Sequence, residues 1–218
     1  MNAPDRTVHL YLFDGFADWE AAFATAGINQ PDFQQTPGRW QVKTVAAAGA
    51  SLVRSAGGLA VLPDQRLGTL FPQDSELLIL PGGPGWDRGE HLEAAAKAKE
   101  FLDQGGRVAA ICGATAGLAR VGALDDRRHT SNAASYLKGT GYQGGDHYVD
   151  EPVVLDRGLI TAGGMAPIEF ARAIFETLDI YNAETLDAWF QLYKTGKSAW
   201  FARMAQNADA GGDTGKNS

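Results

Sequence analysis

Short runs of purely apolar residues alternate along this chain with longer segments whose apolar residues recur every three or four positions. That alternation predicts strands and helices in turn. Residues 8–13 form the first apolar run, and Asp14-Gly15 ends it in a turn. From 18 to 26, Trp19, Ala22, Phe23 and Ala26 fall on one helical face, until Gly27 and the stretch 30–32 stop the pattern. Residues 40–47 read as a second strand and 49–63 as a hairpin bent around Gly57-Gly58. Residues 76–80 are a strand cut off by Pro81-Gly82-Gly83-Pro84-Gly85, and 91–104 a helix stopped by Gly105-Gly106. A further strand, 108–112, runs into a small-residue helix that closes near Gly122. Residues 127–131 suggest a short strand and 132–138 a helical turn. Two strand pieces, 153–156 and 159–161, flank Arg157-Gly158. An amphipathic helix over 167–178 has Pro167 in its first turn, and a longer one over 182–204 has Asn182 as its N-cap.

Apolar strands separated by helices imply a mostly parallel sheet with helices on both faces. In such sheets ligands bind beyond the carboxyl ends of the strands. That rule selects three corners: residues 14–20, 81–86 and 112–114. No internal repeat or linker divides the chain, so one domain over 1–206 is expected. The stretch 207–218, which is poor in apolar residues, is expected to be a disordered tail.

Composition narrows the function. The chain has 218 residues, 44% of them hydrophobic, enough for one substantial core. A net charge of −7 speaks against a nucleic-acid surface, and the basic pair Arg127-Arg128 is too short to offset it. No apolar stretch approaches the roughly 20 residues of a membrane span, and residues 1–6 lack a signal-peptide pattern. With one cysteine no intrachain disulfide can form, which suits the cytoplasm. No His, Cys, Asp or Glu spacing suggests a metal site, and no phosphate-binding or Gly-x-Ser-x-Gly motif is present. Neither metal nor cofactor is expected, and the partner would be a small-molecule substrate or oxidant.

The chemistry centres on Cys112, which ends one strand and opens the next helix. There, free backbone N–H groups and the helix dipole favour a thiolate and can hold an oxyanion. The plainer alternative is a small buried hydrophobe. Glu20 is the leading carboxylate. Asp18 lies two residues earlier, and either can simply complement the dipole of its helix. If Glu20 faces the sulfur, burial raises its pKa and lets it donate a hydrogen bond. The Gly-rich turn at 81–85 lets backbone approach a reactive group, with Trp86 either closing the crevice or packing in the interior. Of the histidines, His129 and His147 remain in play; His9 and His91 start elements on the wrong side.

Several segments then converge. Leu80-Pro81-Gly82-Gly83, Ala110-Ile111-Cys112-Gly113-Ala114-Thr115, and Ile160-Thr161-Ala162-Gly163-Gly164 followed by Pro167-Ile168-Glu169-Phe170 resemble the ThiJ/PfpI superfamily of class I glutamine amidotransferase-like domains. Arg128-His129-Thr130-Ser131-Asn132 and the stretch 165–170 are most similar to its bacterial YoaZ-type subgroup of intracellular protease/amidase or stress proteins. The resemblance implies a flavodoxin-like three-layer sandwich and a homodimer. It makes Cys112 the reactive cysteine, Glu20 its acid partner, and Gly83 and Gly113 the backbone donors to the reacting oxygen. It also exposes departures. Gly113 stands where protease-like members carry histidine, and no late His-x-Glu pair exists. Ser131 or Asn132 falls where many relatives have a histidine, and His129 is the candidate substitute, since alternate residues of a strand share a face. Three readings stay open: a thiol enzyme acting on a small carbonyl, amide or isonitrile; a stress protein whose cysteine is oxidised reversibly; and a non-catalytic member.

Overall fold

The computed structural model describes residues 4–212, with side chains described through 206. Nine strands appear in chain order: β1 (Arg6–Leu12), β2 (Trp40–Ala46), β3 (Val53–Arg54), β4 (Ala60–Val61), β5 (Gln65–Arg66), β6 (Leu77–Leu80), β7 (Val108–Ile111), β8 (Val153–Asp156) and β9 (Leu159–Ala162). Seven of them form one sheet in the order β5-β2-β1-β6-β7-β9-β8, while β3 and β4 pair as a separate hairpin. Every pairing in the large sheet is parallel except β8 with β9. Those two are joined across Arg157 and Gly158, both at positive φ (44° and 82°), the backbone of a tight hairpin turn.

The reason is burial. All four residues of β6 and all four of β7 are buried, as a strand covered on both faces requires. Each fully buried Leu or Ile contributes about 1.5–3 kcal/mol over its exposed state, so these central strands anchor the core.

Helices α1 (Asp18–Asn29), α2 (Pro84–Asp87), α3 (Leu92–Asp103), α4 (Gly113–Arg120), α5 (Ala134–Lys138), α6 (Pro167–Leu178), α7 (Ala183–Thr195) and α8 (Ala199–Gly212) complete the layers. One group packs α1 on α6, α6 on α7 and α7 on α8; the other packs α4 on α2, α3 and α5. The chain runs from β1 outward to β2, then returns to β6 on the other side of β1. Strand order therefore reverses between β1 and β6, and the crevice opens at the carboxyl ends there.

Three local expectations need correcting. Residues 127–131 form no strand; only an isolated bridge links His129 to Tyr148. The single helix expected over 182–204 is two, because Gly196 takes a left-handed conformation (φ 67°) and caps α7 by donating to the Leu192 carbonyl at 2.8 Å. Of the tail expected to be disordered, 207–212 continues the backbone of α8, and 213–218 lies outside the described residues.

Candidate functional site

Three chain corners meet at Cys112. The residue sits between β7 and α4 with φ 57° and ψ −124°, a backbone conformation uncommon outside glycine. Its N–H still pairs with the Ala162 carbonyl (2.9 Å), so the turn is forced in the single step to α4. Its carbonyl accepts from the Thr115 N–H (3.1 Å) and the Thr115 hydroxyl (2.6 Å), which fixes the first turn of the helix. Strain of this kind persists only where surroundings over-determine it, and the side chain it projects is the sulfur.

Glu20 arrives from the first turn of α1 and is 2% exposed. Its Oε2 accepts from the Gly82 N–H at 2.5 Å, and the carboxyl lines the same cleft as the thiol. The Gly82 carbonyl in turn accepts from the Ala17 N–H at 3.0 Å, so two bonds tie the start of α1 to the end of β6. A Cβ on Gly82 would lie 2.7 Å from Cys112 Cβ and 2.7 Å from Glu20 Oε2. Only a residue without a side chain lets acid and thiol meet there. Gly164 plays the same part from the end of β9: a Cβ there would stand 2.8 Å from the sulfur. Asn132 completes the surroundings. Its Nδ2 donates to Cys112 Sγ at 3.4 Å, while its Oδ1 accepts from the Gly164 N–H at 2.9 Å.

Burial governs the titration of the pair. It raises Glu20 from its usual 4.5 to about 7, only partly countered by the Gly82 N–H and the thiol. Burial also pushes Cys112 up to about 11, the negative charge of Glu20 adding to it, while Asn132 and the Gly113 N–H pull the other way. The expected helix N-terminus effect on the thiol is thus present through Gly113 but is outweighed. Near neutral pH the sulfur keeps its proton and the acid exchanges its own readily.

The remaining candidates are placed differently. His129 is wholly buried with its ring nitrogens engaged by the Arg127 carbonyl (2.7 Å) and the Tyr142 hydroxyl (3.2 Å), between Tyr142 and Tyr148. It does not line the cleft, because the segment is not the strand whose alternation would have aimed it there. Ser131 is also buried, sharing a 2.6 Å hydrogen bond with Thr115 behind the turn. Asp18 accepts from the Gly57 N–H (2.7 Å) and pins the β3–β4 hairpin. Trp86 does not close the crevice. Its indole is fully buried, bonds the Pro81 carbonyl at 2.9 Å and packs against Tyr11 and Phe13 beneath the turn. Gly83 abuts the turn: a Cβ on Gly113 would lie 3.0 Å from the Gly83 carbonyl oxygen. Among the described residues, no group of three or more His, Cys, Asp or Glu converges as metal ligands would, and no helix is long and apolar enough to cross a membrane.

The sulfur opens into a cleft of about 370 Å³ lined by Trp19, Glu20, Cys112, Asn132, Gly163, Gly164 and Met165. Sequence reasoning missed Trp19, taken only as part of a core face, and Met165. The signal for Met165 was available, since it follows two glycines at the carboxyl end of β9.

The DJ-1/PfpI family model matches residues 6–177, from β1 to the last turn of α6. The chain belongs to the DJ-1/PfpI family. Among its DJ-1/PfpI relatives is the uncharacterized protease YoaZ of Bacillus subtilis, 38% identical over 202 residues, covering 91% of this chain and 96% of that one. The glutathione-independent glyoxalase DJR-1.2 of Caenorhabditis elegans is 31% identical over 145 residues, 62% of this chain and 73% of that one. A solved ThiJ/PfpI family protein from Bacillus anthracis superimposes with a TM-score of 0.86 at 35% identity, covering 94% of this chain and 98% of that one. The flavodoxin-like fold of the DJ-1/PfpI family is therefore the fold of this chain.

Proposed function

We propose that this protein is a cysteine-dependent enzyme that adds its thiol to a small reactive carbonyl, as a glyoxalase does, with Glu20 moving the protons. The observation that carries the reading is the buried carboxyl that lies beside the sulfur and is held by Gly82. Its pKa of about 7 populates both protonation states at neutral pH, which suits a group that must take and return a proton.

The steps balance without a cofactor. Cys112 sulfur bonds to the aldehyde carbon of a 2-oxoaldehyde while its proton passes through Glu20 to the oxygen, giving a hemithioacetal. Backbone N–H groups of Gly83 and Gly113 are the donors assigned to the oxygen as charge develops. Ionised Glu20 removes the hydrogen on that carbon to form an enediolate, then returns that proton to the neighbouring carbon while the hydroxyl proton passes to the neighbouring oxygen, leaving a 2-hydroxy thioester. Water cleaves the thioester, restores the thiol and releases a 2-hydroxy acid. Amide hydrolysis would ask the same Glu20 to protonate the departing amine, since His129 is engaged elsewhere.

The test is lactate formation from methylglyoxal without glutathione. Wild type should turn over, and Cys112→Ser and Glu20→Gln should each lose at least about a hundredfold, as removal of a nucleophile or an acid–base group does. A wild-type rate no faster than Cys112→Ser would overturn the proposal.

A further inference from the structure

Resting on that reading, we infer that Trp19 and Met165 make the site selective for uncharged 2-oxoaldehydes bearing an apolar or aromatic substituent, and against carboxylated ones. The cleft has two levels. At its base are buried Glu20 and half-buried Cys112, and exposed Asn132 reaches the sulfur from the side. The rim is Trp19 and Met165, large apolar side chains that are 56% and 97% exposed. Neither side chain is exposed by accident of a loose segment. Trp19 sits one residue before Glu20 in the first turn of α1, so the helix that delivers the acid also delivers the indole. Met165 follows Gly164, whose backbone is pressed against the sulfur and bonded to Asn132, so the turn holds its place over the thiol.

Charge points the same way. No Lys, Arg or His lines the cleft among the described residues, and its one ionisable carboxyl is Glu20. A substrate carboxylate would have no counter-ion and would sit beside an acid that must ionise during turnover. The Gly113 N–H at the start of α4 favours negative charge only at the sulfur and the oxygen developing beside it. An aromatic or branched alkyl group instead covers indole and thioether surface, which a flat ring and a flexible Met accommodate well.

Two measurements test this separately from the reaction itself. The first is the ratio of kcat/KM for phenylglyoxal over glyoxal, with 4-carboxyphenylglyoxal as the charged counterpart. Wild type should prefer phenylglyoxal over glyoxal and over 4-carboxyphenylglyoxal, the latter by at least about a hundredfold. Trp19→Ala and Met165→Ala should each cut the phenylglyoxal-to-glyoxal ratio by roughly tenfold, the worth of one lost ring-covering contact. Leu62→Ala, an exposed leucine outside the cleft, is the control and should leave the ratio alone. The second needs no turnover: the rate at which 2-bromoacetophenone or iodoacetate alkylates Cys112, each normalised to its rate with free glutathione. Wild type should favour the neutral aromatic reagent by tenfold or more, and the rim variants should lose that preference. Selective labelling without aldehyde turnover would sink the glyoxalase-like reading and support the rim's role. Turnover with ratios unmoved by both rim variants would overturn the inference and leave the reaction standing.

Discussion

Replacing Glu20 by glutamine should stabilise the protein more the higher the pH. The carboxyl titrates near 7 in the fold against 4.5 ordinarily, because burial penalises its charge. Between those values the folded state holds a proton that the unfolded chain releases. Stability therefore falls as pH rises through this window and levels off above it. At roughly 1.4 kcal/mol per pKa unit, the ionised acid costs the fold about 3 kcal/mol. Glutamine escapes the penalty: its carbonyl can accept from Gly82 N–H and its amide can face the sulfur. Urea unfolding of both proteins from about pH 4.5 to pH 8 is the assay, read as variant minus wild type so that other titrating groups cancel. Cys112 adds nothing in this range, its ordinary value being 9.0 and its folded value higher. The difference should climb by about 3 kcal/mol, most of it between pH 5 and 7. A difference flat across the range would refute the claim that Glu20 ionises against the fold.

Other consequences can be checked as directly. The alkylation rate of Cys112 should keep rising past pH 9 toward the value near 11; Glu20→Gln should lower that midpoint by removing the like charge, and Asn132→Ala should raise it. A midpoint at or below that of a free thiol would contradict the burial argument. Gly117→Ala should cost at least about 1–3 kcal/mol by overpacking, since its Cβ would fall 2.3 Å from Trp86 Cε3 and Cζ3; the melting temperature reports it, and an unchanged value would show that the indole does not brace the turn. Asn182→Ala should cost about 1 kcal/mol through the lost cap to the Thr185 N–H at 2.8 Å, measured by denaturant unfolding; no loss would mean that α7 starts without its cap.

How far the molecule was legible in its residues depended on range. The central strands could be read because strands buried on both faces leave an unbroken apolar run, as 77–80 and 108–111 do. The turn at Cys112 could be read because strand pattern gives way to helix within one residue. The partnership of Glu20 with the sulfur could be suspected but not seen, since it depends on Gly82 lying across a neighbouring strand, 62 positions from the acid. His129 misled because its segment was assigned strand alternation, whereas one bridge to Tyr148 holds it and the ring turns toward two tyrosines. Trp86 misled for a different reason. An indole after a Gly-rich turn looks like a lid, but Gly113 and Gly117, four apart on α4, leave a groove that it fills from below. Nothing local to residue 86 discloses that groove.

The bond from Gly82 to Glu20 also bears on how such a scaffold can be altered. One carboxyl oxygen both tempers the raised pKa of the buried acid and fastens a helix to a strand end. Substitutions there that cannot keep the Gly82 bond consequently disturb architecture and reactivity together, and only an isostere such as glutamine separates the two. Positions 19 and 165 carry no such double duty, being largely solvent-facing. A mutant library aimed at new specificities belongs at those two sites, with the base of the cavity left untouched.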